Sequence, residues 1–349
     1  MSTAKTKKFF ILRNNDLGDV LVATPLIHGI KKAFPNSKVT IGVGDWAKPL
    51  LEKNHDLDEI IPCNAPWHNK QNCSFPANSL RTFLQGLLYV AFSKEARYIS
   101  DKRFSHGIDV LGSRQGSWLM RRCKIKNRFG VRGYAGGDNW CQGSVDFKEE
   151  ENVAIAALKF LPLLGSQLEI EPRPRIVLTD KEKIWANNEW RSDQGKTKRI
   201  VIAPGGGFEE KCWGDKNFVA LTKKLLEHPT LKLFIIGSKE DKKRIQLHPN
   251  SNLVNYCGKL SIRKSAALVS VADFVITNSS LCMHLAGAFK IPSLTLLGEW
   301  YNSAALHQKQ WGYPEGNVLG KETSSGINDL ISIELAFLQI CKSIQITKE

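Results

Sequence analysis

Three stretches of this chain bring together residue types that handle phosphate and protons. The first is Val201–Trp213, where a short β-rich run, Arg199–Ala203, stops at Pro204 and Gly205-Gly206-Gly207, with Lys211 following. Glycines let backbone approach a ligand closely, and exposed N–H groups beside an ammonium suit phosphate oxygens. The loop lacks the Gly-Lys-Ser/Thr of a Walker P-loop and the spacing of a dinucleotide fingerprint, so alone it reads equally as a Gly-rich turn with a surface lysine. The second stretch is Thr277–His284, where a strand turns at Asn278-Ser279-Ser280 into a helix carrying His284. Hydroxyls, free amides and an imidazole then meet at a positive helix end. By itself this is ordinary capping with a core histidine. Paired with the glycine loop on a neighbouring strand end, it predicts a diphosphate cradle. The third is Asp19, a carboxylate at a loop-to-helix junction that would accept a hydroxyl proton from within about 3 Å. Asp16 in the same loop is the alternative base, and a first-turn acid complementing the helix dipole is the plain reading.

These residues need strands and helices to place them. Phe9–Leu12 reads as a buried first strand and Asn14–Gly18 as a polar turn. Val20, Leu21, Leu26, Ile27, Ile30 and Phe34 recur at helical spacing, predicting one helix over Asp19–Phe34. Strands follow at Val39–Val43, Asp58–Pro62, Gly107–Leu111 and Asn127–Val131. Helices are expected at Ala47–Asn54, Leu80–Phe92, Ser117–Arg122 and Asn152–Leu164, and Ala65–Ser79 reads as an irregular loop. After the proline-punctuated Glu171–Arg175, the plan repeats. Lys181–Trp190 is a lead-in helix. Strands are expected at Ile200–Ala203, Leu231–Ile236, Val254–Tyr256, Phe274–Thr277 and Ser293–Leu297, alternating with helices at Asn217–Glu227, Ile262–Val269 and Ser280–Phe289 and closed by Asp329–Ile344. Alternation of this kind implies an α/β protein of two Rossmann-like, doubly wound parallel-sheet domains facing one cleft, with sites at the carboxyl ends of strands. The expected division is an N-terminal domain over 1–170, a linker and lead-in helix over 171–195, a C-terminal domain over 196–326 and a final helical segment over 327–349.

Composition narrows the class. At 349 residues and 42% hydrophobic the chain is long enough for two cores. Leu80–Phe92, the longest apolar-leaning stretch, carries Arg81 and Gln85 and is short of the roughly 20 residues that span a bilayer. Phe9–Leu12 is too short for a signal-peptide core, so a cytoplasmic location is expected. Eight cysteines lack zinc-like spacing and read as free thiols. The net charge of +15 calls for an anionic partner, and Lys94–Arg132 holds 11 Lys and Arg against 3 Asp and Glu. Arg114, Arg121, Arg122 and Arg132 are its candidate anion contacts, against the plain reading of a solvated basic face. Without a zinc-finger spacing or RNP-like aromatics, nucleic acid is not the expected partner. Asp56-Leu57-Asp58 looks like a glycosyltransferase metal site but reads better as a solvated turn, so no metal or other cofactor is expected.

Arg13-Asn-Asn-Asp-Leu-Gly-Asp-Val-Leu-Val-Ala-Thr-Pro-Leu26, Lys211-Cys212-Trp213 and Thr277-Asn278 through Met283-His284-Leu285-Ala286, in that order, resemble the bacterial ADP-heptose:lipopolysaccharide heptosyltransferases of glycosyltransferase family 9. The resemblance runs from about Phe9 to Gly298. It implies a GT-B fold, with the acceptor on the N-terminal domain, an ADP-sugar on the C-terminal domain, and the last helix packing back on the first domain. It also implies an inverting transfer of heptose, or a related sugar, to an anionic lipid-linked saccharide, with peripheral contact at the inner face of the cytoplasmic membrane. Asp19 would be the base. Lys211 with the Ser280–His284 helix end would stabilise the departing diphosphate. Leu260 would pack on adenine, and Glu240 or Asp241 would reach the ribose. Where the family usually reads Asn-Asp-Thr-Gly-Pro-Met-His, this chain has Asn278-Ser279-Ser280-Leu281-Cys282-Met283-His284. The lost acid and glycine leave open a different sugar nucleotide, an epimerase-like use of the cradle, or a catalytically weakened binding module.

Overall fold

The protein was analysed as a computed structural model that describes residues 6–76, 79–190 and 197–345. The linker's residues 191–195 and the last four residues, 346–349, lie outside the described residues, as do Ala77 and Asn78 of the expected loop. The chain divides into two compact units, Met1–Val177 and Leu178–Glu349.

The first unit holds a six-stranded, all-parallel sheet. Its strands are β1 (Lys8–Leu12), β2 (Lys38–Val43), β3 (Glu59–Pro62), β4 (His106–Asp109), β5 (Asn127–Arg132) and β6 (Gly143–Asp146), in the order β3-β2-β1-β4-β5-β6. Helices cover both faces, which is why β1 is an unbroken apolar run, Phe9-Phe10-Ile11-Leu12, rather than an alternating one. Successive residues point to opposite sides. Phe9 and Ile11 pack with Val20, Leu26, Ile27 and Ile30, whereas Phe10 and Leu12 pack with Trp67, Val90, Ile99 and Leu119.

The second unit repeats the arrangement with β7 (Lys198–Ala203), β8 (Leu231–Ile235), β9 (Leu253–Asn255), β10 (Phe274–Thr277), β11 (Ser293–Leu296) and β12 (Gly316–Leu319), in the order β12-β11-β10-β7-β8-β9. All its pairings are parallel. Counted from each unit's own first strand, both sheets have the order 3-2-1-4-5-6 of the doubly wound dinucleotide-binding fold. The expected pair of Rossmann-like sheets is present.

Several local expectations needed correction. The single helix over Asp19–Phe34 is two helices, Leu17–Val22 and Thr24–Ala33. Pro25 has no N–H to continue the first helix, and Thr24 Oγ1 donates instead to the Leu21 carbonyl at 2.6 Å. Asn152–Leu164 is likewise split into Val153–Leu158 and Phe160–Leu163. The helix expected over Ala47–Asn54 is the single turn Lys48–Leu51. The closing helix, Ile333–Ile344, was expected on the N-terminal domain. It instead buries Ala336, Phe337, Ile340, Cys341 and Ile344 in the core of the second unit, with Leu221 and Leu225 of the helix Asp215–Leu226. The lead-in helix, Asp180–Glu189, also belongs to the second unit, anchored by Arg263 Nε on Glu182 Oε1 at 2.6 Å and Arg263 Nη2 on Glu182 Oε2 at 2.7 Å.

Candidate active site

In each sheet the chain leaves the first and fourth strands toward opposite edges, so their carboxyl ends open a crevice where ligands bind in such folds. In the first unit these are the ends of β1 and β4. Beyond β1, Arg13 N–H donates to the Gly42 carbonyl at 3.0 Å, which extends the strand by one residue. Asn14 Nδ2 and Asn15 Nδ2 then donate to the carbonyls of Trp67 (3.1 Å) and His68 (2.8 Å), and Trp46 Nε1 donates to the Asn15 carbonyl at 2.9 Å. This frame delivers Asp19 on the first turn of Leu17–Val22. Arg13 Nη2 donates to Asp19 Oδ1 at 3.0 Å, and Arg13 Nε to the Asp19 carbonyl at 3.1 Å. Arg13 is buried while Asp19 stays 30% exposed, so the carboxylate is fixed from within and open on its outer side. Asp16 is used differently: its Oδ1 accepts the Lys70 N–H at 3.2 Å, bracing the neighbouring loop.

At the end of β4, Asp109 is fully buried, and burial pushes its carboxyl above the usual carboxylate range against the pull of its bonds to Ser113. Its oxygens accept the N–H groups of Leu111 (3.1 Å) and Ser113 (2.8 Å) and the Ser113 hydroxyl (3.0 Å). Ser113 in turn caps the helix Arg114–Arg122 by accepting the Gly116 N–H at 2.9 Å. Position 116 has no room for a side chain, since a Cβ there would lie 2.0 Å from Asp109 Oδ2. The turn presents Arg114, exposed, at the wall of a hollow of about 640 Å³ lined also by His68, Ser79, Phe83, Gln115 and Tyr134. Burial and the Arg13 charge lower the His68 pKa, which favours a neutral imidazole.

The four candidate arginines do not form one patch. Arg121 and Arg122 end the helix that Arg114 begins, about 10 Å away along its axis. Arg121 stacks 3.9 Å over the Trp140 ring. Arg132 closes β5 and is paired with Asp146 at 2.6 Å. Of the four, only Arg114 lines the hollow.

In the second unit, the ends of β7 and β10 carry the two phosphate-type motifs. The β7 loop, Pro204 to Gly207, leaves Gly206 and Gly207 exposed. Gly205 lies against Asp241, whose Oδ2 a Cβ would approach to 2.5 Å. Asp241 is itself occupied, accepting the Ser238 N–H at 2.7 Å in the capping box of the helix Lys239–Arg244. Through this cap it supports the glycine loop, with Glu240 the more exposed of the two acids that sequence offered for the ribose. Glu240 is exposed on the first turn after β8, and Leu260 is half-buried in the loop after β9, on the same strand-end edge.

Asn278 and His284, both expected at the donor, are held by partners within the second unit. Asn278 is fully buried: its Oδ1 accepts the Trp213 N–H at 3.0 Å, and its Nδ2 donates to the Pro204 carbonyl. Both ends of its amide are engaged in joining β10 to the glycine loop and the Lys211-Cys212-Trp213 segment, so it positions the site. His284 Nδ1 lies 2.8 Å from the Tyr313 hydroxyl, and burial lowers its pKa to about 4. It is a neutral, buried histidine whose Nδ1 side faces Tyr313. Ser280 precedes the helix Leu281–Phe289, its Oγ 3.0 Å from Thr277 Oγ1.

Lys211 closes a short 3-10 turn, Glu209–Lys211, held against the end of β11 by Gly298 N–H to the Lys211 carbonyl (3.2 Å) and Trp300 N–H to the Glu210 carbonyl (2.9 Å). Its Nζ sits 4.9 Å from the Phe208 ring centre and 5.9 Å from that of Tyr301. Ser279 Oγ lies 2.8 Å from His307 Nε2. Burial, and after it the neighbouring His284 and Lys211, lower the His307 pKa to about 3, so both imidazoles are neutral near pH 7. Sequence reasoning missed Trp300, Tyr301 and His307 because the helix that carries His307, Ala304–Trp311, has no motif of its own. The only available signal was the aromatic pair Trp300-Tyr301 just past Gly298.

The Asp56-Leu57-Asp58 triplet lies ahead of β3, at the opposite strand edge from Asp19. Asp56 Oδ2 meets His28 Nδ1 at 2.9 Å, while Asp58 pairs with Lys31 (3.0 Å) and Lys38 (2.8 Å) and accepts the Val39 N–H. Among the described residues no group of three or more His, Cys, Asp or Glu side chains is placed to hold a metal ion.

Residues 93–305 match the model of glycosyltransferase family 9 (heptosyltransferase). The chain is 21% identical over 308 residues to lipopolysaccharide heptosyltransferase 2 of Escherichia coli strain K12, covering 83% of this chain and 82% of that protein. It is 25% identical over 298 residues to lipooligosaccharide heptosyltransferase 2 of Campylobacter jejuni, covering 83% and 81%. Its fold matches the solved structure of E. coli ADP-heptose lipopolysaccharide heptosyltransferase II with a TM-score of 0.73 at 17% identity, over 97% of this chain and 98% of that one.

Proposed function

The chain belongs to glycosyltransferase family 9, and from that premise we propose that it moves a heptose from ADP-heptose to an anionic, lipopolysaccharide-type acceptor with inversion at the anomeric carbon. The relatives' names supply the sugar and the acceptor class. The observation that carries the chemistry is Asp19, held by buried Arg13 yet open to solvent at the end of β1. Its free side accepts the proton of an acceptor hydroxyl as that oxygen bonds to the anomeric carbon and the carbon–phosphate oxygen bond breaks. ADP leaves with the electron pair of that bond. Lys211 and the backbone N–H groups of Gly205, Gly206 and Gly207 meet the charge that develops on the diphosphate, with Ser280 at the adjoining helix start. Glu240 and Leu260 are assigned to the nucleoside, and Arg114 to an anionic group of the acceptor. No metal enters this scheme. A lipid-linked acceptor implies peripheral contact with the inner face of the cytoplasmic membrane.

One observation favours keeping a second donor in view. Ser279, where an acid is usual in the family, is bonded to a neutral His307, so no carboxylate stands there to hold donor hydroxyls. The test is incubation of wild type and Asp19→Ala with ADP-heptose and a truncated lipopolysaccharide acceptor, following ADP release and acceptor mass. Transfer by wild type alone, with ADP-heptose bound by both, is the expected result. ADP-heptose bound without transfer to any acceptor would turn the reading into a binding module, and failure to bind it would reassign the donor.

A further inference from the structure

The helix Leu80–Phe92 has two unlike faces. Thr82, Gly86 and Val90 are buried, and Phe83 with the capping Ser79 lines the hollow beside Arg114. On the other side Leu80, Leu84, Leu88 and Phe92 are 71%, 48%, 60% and 66% exposed. Four large apolar side chains at intervals of four form one ridge about 18 Å long, drifting about 40° around the helix per step. A contiguous apolar surface of this kind marks an interaction site more often than a solvated face.

The charge around the ridge says what it meets. No Asp or Glu occurs between Glu59 and Glu95. Arg81 stands at the start of the ridge, its guanidinium 5.2 Å over the Phe75 ring, and Lys94 and Arg97 are exposed at its end, where Arg97 Nη2 donates to the Phe92 carbonyl at 3.0 Å. The two bracketing acids are engaged elsewhere. Glu95 accepts the Asn64 N–H at 3.2 Å, and Glu59 Oε1 accepts from both the Tyr98 hydroxyl and Lys102 Nζ at 2.7 Å. With 13 residues the helix is short of the roughly 20 needed to cross a bilayer. An apolar stripe with cations at both ends is suited to lying in the plane of a negatively charged interface.

We propose that this helix docks the protein on an anionic bilayer, seating Leu80, Leu84, Leu88 and Phe92 at the acyl boundary with Arg81, Lys94 and Arg97 against the headgroups. The docking gains its purpose from the lipid-linked acceptor proposed above, because the same helix borders the hollow on its other side. A saccharide whose lipid remains in the membrane would then enter the hollow beside the ridge. The docking itself does not depend on which sugar is transferred.

The full chain is tested by co-sedimentation with phosphatidylglycerol/phosphatidylethanolamine vesicles and with neutral phosphatidylcholine vesicles. Wild type should pellet with the anionic vesicles and release as salt is raised. Leu84→Ser/Leu88→Ser should partition about tenfold or more weakly, and Arg81→Gln/Lys94→Gln/Arg97→Gln should lose the preference for anionic over neutral lipid. Thermal unfolding of Leu84→Ser/Leu88→Ser, and its turnover of a deacylated, soluble acceptor, should match wild type. Equal partitioning of this variant and wild type would overturn the proposal. So would a wild-type dimer in ultracentrifugation that the variant dissolves, since the ridge would then face a second copy. Ridge-dependent vesicle binding by a protein that transfers no sugar would uphold the docking while sinking the proposed reaction.

Discussion

Arg13 reaches Asp19 twice, with Nη2 3.0 Å from Oδ1 and Nε 3.1 Å from the backbone carbonyl of the same residue. The guanidinium therefore orients both the carboxylate and the turn that carries it. Lysine cannot reproduce that fork. Asp19→Asn should lower kcat by about 10²–10⁴, and Arg13→Lys by a smaller factor of about 10 or more in the same parameter, each without change in ADP affinity. Steady-state kinetics beside calorimetric ADP titration checks this. A kcat unchanged in Asp19→Asn would move the base to Asp16.

Asn278 joins two segments of the donor loop through one buried amide, accepting from Trp213 N–H and donating to the Pro204 carbonyl. Asn278→Ala leaves both groups without their partner, at a cost of about 1–3 kcal/mol for each buried group left unsatisfied. The expected outcome is a lower denaturation midpoint for the second unit together with weaker ADP binding. A variant of wild-type stability that had lost ADP would show that Asn278 touches nucleotide directly.

Charge at the departing diphosphate falls to Lys211 and the glycine amides in the proposed scheme. Lys211→Gln should cost about 10²–10³ in kcat and weaken ADP binding, while EDTA should leave the wild-type rate unchanged. The acids that might have suggested a metal are already paired, Asp58 with Lys31 and Lys38 and Asp56 with His28. Activity abolished by EDTA and restored by Mg²⁺ would refute the metal-free scheme.

Much of this arrangement was legible in the sequence because strand ends and their loops are local. Pro204-Gly205-Gly206-Gly207 after an apolar run, and Asn278-Ser279-Ser280 after another, marked the ends of β7 and β10, and the topology then made those strands neighbours. Features that depend on distant partners were not legible. Asn278 and His284 have side chains suited to anions, and only their bonds to Trp213, Pro204 and Tyr313 show them to be occupied within the core. Arg114 and Arg121 are neighbours in a basic run but sit at opposite ends of one helix. The edge strands β6 and β12 are four residues each, partly exposed, with no apolar run or alternation to announce them. Pro25 interrupts the Asp19–Phe34 run, but the apolar spacing continues on both sides of it and so reads as one helix.

Glu182 carries a pH dependence. Its bonds to Arg263, and to the N–H and hydroxyl of Thr179, outweigh partial burial and lower its pKa from 4.5 to about 2. A carboxylate depressed on folding adds stability that is complete above its unfolded pKa and disappears as pH falls through the folded one. The pair should therefore stabilise the second unit fully above about pH 4.5 and lose its effect toward pH 2, an amount on the order of 3 kcal/mol. Glu182→Gln should be less stable at pH 7 and should lose less stability on acidification. Urea unfolding of both proteins at pH 7 and pH 3 measures this, and parallel losses would rule Glu182 out as the source.

Ser279 offers the sharpest test of donor recognition. Its Oγ is 2.8 Å from His307 Nε2, and His307, lowered to about 3 by burial and nearby positive charge, is neutral throughout the physiological range. The hydroxyl and imidazole form a neutral pair near Lys211, at the position where the family pattern this stretch resembles reads an acid. Ser279→Asp would set a carboxylate against the imidazole and favour its charged form, so the His307 pKa should rise. If position 279 reads the donor's hydroxyls, this variant should also change the KM for a heptose donor relative to that for other ADP-sugars by a factor of about 10 or more. NMR titration of His307 and competition between ADP-sugars separate the two effects. A raised His307 pKa with unchanged donor preference would confine Ser279 to a structural role and leave donor choice to other residues at the β10 end.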